Sequence, residues 1–269
     1  METTKTAKAN EVNNVMIQEA LGEVEQEDTK FSVAAPSDTL VNLPAGYIDS
    51  SGEVIKTAEV RELNGFDEEA IAKAGGAGKA LSAIINRATI KVGTTDATEE
   101  VLDRMLTGDR DMLLLGIYKA TFGKIAETPG FCGTCNDFKT AQVDLDRDVK
   151  VKALLDPAGD RTFTVKGRSR EYLVTLPNGI AQKEISSGED KTGPELTTVL
   201  LNNTVLEIDG QPVLGKTQLQ GLPMPDRRAI SEAISERLPG PQFEDMVLSC
   251  PDCSGEVVVP FSLGALFRF

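Results

Sequence analysis

Cys132-Gly-Thr-Cys135 and Cys250-Pro-Asp-Cys253 take up all four cysteines of this 269-residue chain. Two cysteines with two residues between them can both turn onto one ion, because the tight turn between them aims backbone N–H groups at the sulfurs. Two such pairs complete a tetrahedron with metal–sulfur bonds of about 2.3 Å. Gly133, Pro251, Ser254 and Gly255 suit turns of that kind. Four thiolates leave no position open for a substrate, so the site expected here is structural: one zinc per chain on Cys132, Cys135, Cys250 and Cys253. Two other chemistries use the same residues. Cys-Gly-Thr-Cys also fits a thiol–disulfide oxidoreductase, whose first thiolate is activated at a helix N-terminus. The residues after each pair, Asn136-Asp-Phe-Lys-Thr and Ser254-Gly-Glu-Val-Val, read instead as the starts of strands. Plain disulfides are the third option. The opening Met-Glu-Thr-Thr-Lys-Thr-Ala-Lys lacks the apolar core of a secretory leader, which argues against them.

The remaining side chains offer little chemistry. The chain has no His, which removes Ser-His-Asp triads, catalytic His-ligated zinc and imidazole acid–base steps. Asp144-Leu-Asp-Arg-Asp148 lacks the glycine and distal glutamate of a calcium loop and reads as a solvated strand end. Gly75-Gly-Ala-Gly78-Lys79 lacks the spacing of a phosphate loop and reads as a flexible linker. Asp109-Arg110 and Asp226-Arg227 read as helix caps followed by a first-turn arginine. No nucleophile–base pair is visible. We expect no catalytic residues, no organic cofactor site and no enzyme.

Charge and composition bound the partners. With 28 Lys+Arg against 42 Asp+Glu, the net charge of −14 argues against nucleic acid, which demands a basic face. No apolar run approaches the roughly 18 residues of a membrane span, so no membrane partner is expected. A 40% apolar content supports a core, and the absence of Trp makes that core aliphatic.

Something must carry the two cysteine pairs to one point, and the pattern suggests how. Residues 1–30 are acidic and poor in large apolar residues; they read as an arm, with a short helix around residues 15–24. Strands are expected at residues 40–44 and 54–60, with turns at Ser50-Ser-Gly52 and Asn64-Gly65. Asp67-Glu-Glu69 opens a helix, and Leu81, Ile84, Ile85 and Ala88 have helical spacing. Thr98 caps another helix over residues 98–106. Leu113, Leu114, Ile117 and Tyr118 give a further helix its apolar stripe, ended by Gly123. Strands at residues 140–145 and 256–261 trail the two cysteine pairs.

Short words recur in order along the chain. Leu40-Val-Asn-Leu-Pro44 returns as Leu173-Val-Thr-Leu-Pro177, and Ser50-Ser-Gly-Glu53 as Ser186-Ser-Gly-Glu189. Leu81, Ile84, Ile85, Thr89 and Ile90 return as Leu196, Val199, Leu200, Thr204 and Val205. Asp109-Arg110 returns as Asp226-Arg227, and one cysteine pair as the other. The offsets are 133, 136, 115, 117 and 118, which a loss of about 20 residues from the second copy reconciles. The expectation is an α+β protein of two related, duplicated halves, each of short strands plus helices, joined by a zinc-ribbon-like module of four cysteines. Its domains are an arm (1–30), a first repeat with its knuckle (31–155) and a second repeat with its knuckle and an apolar tail (156–269). The duplication explains the 114 residues between the pairs, against about 15–20 in an ordinary ribbon. The tail, Val257-Val-Val-Pro-Phe-Ser-Leu-Gly-Ala-Leu-Phe-Arg-Phe269, is too apolar to stay in water. It either packs as the last strand and turn of the metal module or docks in a partner subunit.

The order of an acidic helix start after Asn64-Gly65, then Leu-Thr-Gly-Asp-Arg-Asp-Met-Leu-Leu-Leu-Gly-Ile-Tyr-Lys-Ala-Thr-Phe-Gly over residues 106–123, then a cysteine pair and the strand Val143-Asp-Leu145, resembles the T-even-type phage baseplate (hub) protein family. That family has relatives in other tailed phages and in contractile injection systems. The closing Cys-Pro-Asp-Cys-Ser-Gly and Val-Pro-Phe-Ser-Leu-Gly-Ala-Leu-Phe-Arg is similar to the knuckle-bearing C-terminus of such tail proteins. The resemblance covers roughly residues 30–150 and 240–269. It implies a virion structural or assembly protein that binds other tail and baseplate proteins in multiple copies of a symmetric assembly. It also implies assembly in the bacterial host cytoplasm before incorporation into a virion tail or injection particle. It implies no catalytic residues; only the four cysteines carry a role.

Overall fold

The computed structural model describes residues 39–188, 190–243 and 246–267. The expected arm over residues 1–30, with its helix around residues 15–24, lies outside the described residues, as do Arg268 and Phe269 of the tail. The protein is α+β. The chain runs β1 (Leu40–Ile48), β2 (Val54–Val60), α1 (Gly65–Ala72), α2 (Ala77–Ala88), β3 (Thr89–Val92), β4 (Thr95–Asp96), α3 (Glu99–Arg104) and α4 (Thr107–Phe122). It continues as the hairpin β5 (Ile125–Cys132) and β6 (Asp137–Asp144), then β7 (Val151–Lys152). Next come β8 (Thr162–Lys166), β9 (Glu171–Thr175), α5 (Gly179–Ser186), α6 (Gly193–Thr204), β10 (Val205–Ile208), β11 (Gln211–Pro212), α7 (Lys216–Gln220) and α8 (Met224–Arg237). It closes with β12 (Gly240–Pro241), the hairpin β13 (Met246–Ser249) and β14 (Glu256–Val259), and α9 (Leu263–Phe267).

Two strands, two helices, two strands and two helices thus occur twice in the same order. The sheets agree as well: β1-β2-β3-β4 in one half and β8-β9-β10-β11 in the other, antiparallel throughout. In both halves the third and fourth strands are joined by two residues, Gly93-Thr94 and Asp209-Gly210. Gly93, Asp209 and Gly210 have φ of +60°, +52° and +74°, the left-handed backbone that keeps a tight hairpin in step with strand twist. Two of the recurring words fall in elements that do not correspond. Leu40–Pro44 lies in β1, whereas Leu173 lies in β9, whose place in its sheet matches β2. Ser50-Ser-Gly52 is the turn between β1 and β2, whereas Ser186-Ser-Gly188 ends α5. The second half has its own strands and helix where a loss of about 20 residues was expected. Words built of common residues matched across different elements because Leu-Val and Ser-Gly serve any strand or turn.

Local chemistry explains the helix starts. Asn64 does not sit in a turn as expected but caps α1: its side chain accepts from the Phe66 and Asp67 amides, while Asp67 accepts from the Asn64 amide at 3.0 Å. Asn178 caps α5 with its side chain alone, accepting from the Ile180 and Ala181 amides. Thr98 caps α3 as the sequence suggested. Gly75-Gly-Ala-Gly78 is not a flexible linker. Gly76 precedes α2, Gly78 lies in its first turn, and a Cβ there would collide with Ser186 of α5. The tail begins as the last strand of the cysteine module, as one of its two expected fates had it, but residues 263–267 form a helix where a turn was expected. Leu263 and Leu266 are buried, and the Phe267 ring meets Tyr118 of α4 edge-on at 5.6 Å. Proline at 260 removes a ladder amide and ends β14, and the apolar run after it folds back on α4.

Asp109 and Asp226 are not caps. Each is the third residue of its helix, fully buried, and each ties the first turn to a strand hairpin. Asp109 accepts from the Ala45 amide at 2.8 Å. Asp226 accepts from the Tyr172 hydroxyl at 2.7 Å and the Arg168 amide at 3.0 Å. Their titration is opposite. Burial, incompletely offset by the Ala45 amide and the Arg161 guanidinium, raises Asp109 from 3.8 to about 6. The Tyr172 hydroxyl and Arg168 amide hold Asp226 below the ordinary range. A carboxyl raised on folding keeps its proton better in the native state, so its contribution is full below about pH 4 and lost as pH rises through about 6. Asp109→Asn keeps an acceptor for the Ala45 amide but cannot titrate. We expect urea unfolding of this variant to show a shallower loss of stability from pH 4 to pH 7, by on the order of 2 kcal/mol. Parallel curves for the two proteins would refute the assignment.

The core is aliphatic. One cluster runs from the first half, through Val41, Ile84, Leu113, Leu114 and Ile117, into Cys132, Cys250, Val257 and Val259. A separate cluster, with Tyr172, Leu201, Leu219 and Ile230, fills the second half. The cysteine module is therefore packed as an extension of the first half's core.

Candidate metal centre

Each cysteine pair sits at the tip of a hairpin. Cys132 and Cys135 flank the turn between β5 and β6; Cys250 and Cys253 occupy the turn between β13 and β14. The hairpins join into one sheet of order β13-β14-β5-β6. The strand β14 pairs antiparallel with β5, Val257 opposite Cys132 and Val258 opposite Phe131, so both tips lie at the same end. Gly130 permits this pairing: a Cβ there would come within 2.5 Å of Val257 Cγ1 and 3.1 Å of Val258 O.

The four sulfurs lie within 4.8 Å of one another. Cys132 Sγ and Cys253 Sγ are 3.7 Å apart, and Cys135 Sγ and Cys250 Sγ 3.9 Å apart, none of them in a disulfide. The turns are built alike. The residue after each second cysteine, Asn136 or Ser254, has a positive φ, +52° and +58°. Amides also point at the sulfurs: Cys135 N donates to Cys132 Sγ across the first turn, and Gly255 N, directly after the left-handed Ser254, donates to Cys253 Sγ, each at 3.4 Å. Gly255 is needed where the two turns meet, because a Cβ would lie 2.5 Å from Thr134 Oγ1 and 3.2 Å from Cys253 Sγ. Lys139 clasps the hairpins from outside, pairing with Asp252 at 2.9 Å and Asp137 at 3.0 Å, and Asp252 foremost holds its ammonium well above the ordinary range.

The electrostatics fit a cation. The Asp252 and Cys253 amides draw the Cys250 thiol down to about 7, whereas Cys253 above all pushes Cys135 up to about 12. Sulfurs this close repel as thiolates, so the first proton leaves where the amides point and later ones leave with difficulty. A divalent cation removes that penalty for all four. Cys132 and Cys250 are buried at 0% and 2% exposure, Cys135 is half-buried and Cys253 exposed. The arrangement is a four-cysteine cluster compatible with one metal ion. Among the described residues it is the one group of three or more such side chains so placed.

The redox alternative needs a helix opening at the cysteines. Strands β6 and β14 follow the turns, so no helix dipole lowers a thiol here. Asp144 and Asp148 do not join the cluster. Asp148 accepts the Asp144 amide at 2.9 Å and Asp144 the Asp146 amide at 3.0 Å, which makes a local turn. Ser254 was named from the sequence as a turn residue, whereas the turn role of Asn136 and the clasp by Lys139 were missed. A polar residue directly after the second cysteine was the available signal for Asn136; Lys139 had none, since its partner Asp252 lies in the other hairpin. Among the described residues no helix is long and apolar enough to cross a membrane. Comparison of the chain with protein-family models, with curated proteins and with solved structures finds no match.

Proposed function

We propose that this chain is a non-catalytic scaffold protein, held by one structural zinc, that serves as a structural or assembly component of a phage tail baseplate or related contractile injection machine. The observation that carries the scaffold reading is the complete set of four sulfurs. A tetrahedron of Zn–S bonds near 2.3 Å has edges of about 3.8 Å, against the 3.7 Å and 3.9 Å of the two closest cross-hairpin pairs. Zinc ligated by four thiolates has no site for substrate or activated water, so its role is to hold the two hairpins together. The repeated order of elements supports a second reading of the same architecture: the halves arose by duplication, each bringing one hairpin to a shared ion. The baseplate assignment rests on the resemblance of residues 106–123 and 250–268 to that family.

Metal analysis with thiol titration of the purified protein tests the first part. One zinc per chain with no fast-reacting thiol is expected, and cobalt substitution is expected to give the spectrum of a tetrahedral tetrathiolate. A metal-free protein with two rapidly titrating thiols would make it an oxidoreductase instead. Mass spectrometry of purified particles tests the second part: a stoichiometric subunit supports it, and absence from the finished particle would make the chain a transient assembly factor.

A further inference from the structure

The two halves differ in one respect that their matching element order brings out. In the first half, the groove between α2, α3 and the start of α4 is filled by α5 of the second half. Four residues of one α5 face make the contact. Gly179 lies so close that a Cβ would come within 2.9 Å of Leu102 O and of Asp103 Cα. Gln182 accepts from Arg110 Nε at 2.7 Å. Lys183 pairs with Glu99 at 2.6 Å and Asp103 at 2.7 Å, and Ser186 packs on Gly78. In the second half, the corresponding groove between α6, α7 and the start of α8 is open. It has a volume of about 660 Å³, with Pro194, Thr198, Gln220, Leu222, Met224 and Arg227 on its walls. The wall is built the same way, since Arg110 and Arg227 each donate to the carbonyl eight residues earlier, Leu102 or Leu219.

The element that matches α5 is α1, and its corresponding face is uncovered. Asn178-Gly179-Ile180 and Asn64-Gly65-Phe66 open the two helices with the same asparagine cap. The residues of α1 that match the contacting stripe of α5, where Gly179 is buried and Gln182, Lys183 and Ser186 are half-buried, are Gly65, Glu68, Glu69 and Ala72, and all four are exposed. None of the described residues lies within 4 Å of a Cβ built on Gly65, and its φ is not positive. Among the described residues, neither packing nor backbone conformation therefore asks for glycine there, although glycine at a helix start costs conformational entropy. Close approach of another surface would require it, as it does at Gly179.

The charges have changed sign on both sides. The positions that carry Glu99 and Asp103 at the filled groove carry Lys216 and Gln220 in the second half, Gln220 on the wall of the open groove and Lys216 near Glu195 of that wall, which also includes Arg228; where α5 carries Gln182 and Lys183, α1 carries Glu68 and Glu69. The filled contact pairs Lys183 with Glu99. Its counterpart would pair Glu69 with Lys216, and Arg227 would meet Glu68 where Arg110 meets Gln182. We propose that the open groove of the second half receives helix α1 from a second copy of this chain, in the way the first half receives α5. The donor and acceptor surfaces are different, so the contact is head-to-tail and builds a ring or a filament. This inference goes beyond the metal reading and is independent of it.

Sedimentation velocity of the full-length, metal-loaded protein tests it. Wild-type protein is expected to gain mass as concentration rises from about 1 µM to about 1 mM, and to lose it in roughly 0.5 M NaCl, where exposed charge pairs are screened. Glu69→Lys and Lys216→Glu are each expected to hold the protein monomeric, and the double variant to restore association. Both side chains are exposed, so thermal unfolding should not change; Glu69→Gln and Lys216→Gln, which only weaken the pair, are expected to lower association partway. A wild-type protein that stays monomeric to about 1 mM would overturn the proposal. So would association that persists in both single charge reversals, or a double variant that remains monomeric.

Discussion

Removing zinc with a chelator, or replacing Cys132 by Ser, is expected to cost more stability than any change at the surface. Structural zinc in a tetrathiolate site contributes on the order of 10 kcal/mol, comparable with the whole of the roughly 5–15 kcal/mol that typically separates a folded domain from its unfolded chain. Here the loss would spread. Cys132 and Cys250 belong to the same buried cluster as Leu113, Leu114 and Ile117 of α4. The sheet β13-β14-β5-β6 joins segments far apart in sequence by a short run of paired residues between β14 and β5. Without the ion, that pairing must bear the entropy of closing a long loop. We expect the melting temperature to fall by more than about 10 °C, with loss of β-sheet signal in circular dichroism. Cys253→Ser separates the metal from the packing. This sulfur is exposed, so the variant opens no cavity but still removes a ligand. A drop as large as that of Cys132→Ser would assign the effect to the ion. A chelated protein that melts where the loaded one does would refute the structural role.

Gly108→Ala is the second large effect expected. Gly108 lies in the first turn of α4, and a Cβ there would penetrate the carbonyl oxygen of Pro239 and lie 3.0 Å from the Gly240 amide nitrogen. Gly240, at φ +101°, comes equally close from the other side, with a Cβ 2.5 Å from Gly108 Cα. These two glycines let the backbone after α8 lie directly on α4, where β12 pairs with β7. Both obstructing groups are backbone, so no side-chain rotation relieves the clash. One added methyl group is expected to cost about 3 kcal/mol or more, which is roughly 6–12 °C in melting temperature. A differential scanning experiment reads this directly, and a variant within about 2 °C of wild type would refute the close approach.

Much of the local structure was legible in the residues. Thr98 marks the start of α3, the apolar spacing of Leu113, Leu114 and Ile117 marks α4, and Gly123 ends it. These signals are local: a cap or a stripe acts within one or two turns. Asp109 and Asp226 show where local reasoning stops. An acidic residue near a helix start reads as a cap, yet each proved to be a buried tether to a strand hairpin contributed from elsewhere. Nothing in the neighbouring residues distinguishes the two uses. The repeat shows the same boundary. Word matching found the corresponding Asp-Arg and cysteine pairs but aligned Leu40-Val with the wrong strand, because strand words carry little information and strand order carries much. The tail was read as apolar and therefore covered, but its helical form followed from packing against Tyr118.

What the sequence determined by itself is the composition of the candidate metal centre. All four cysteines stand in two short pairs, and the turn residues beside them bring each pair to a point, since two residues of spacing fix that geometry locally. What only the tertiary structure decided is that the two points coincide. The pairs are separated by 114 residues, and their approach depends on the β14–β5 register and on the room left by Gly130. The fate of α1 and α5 was decided at the same level: two helices with the same cap and the same leading glycine, one buried and one exposed. Short-range forces set the form of a turn or a helix; which surfaces meet depends on long-range packing, where the entropy of closing the chain is offset only by contacts that neighbouring residues do not encode.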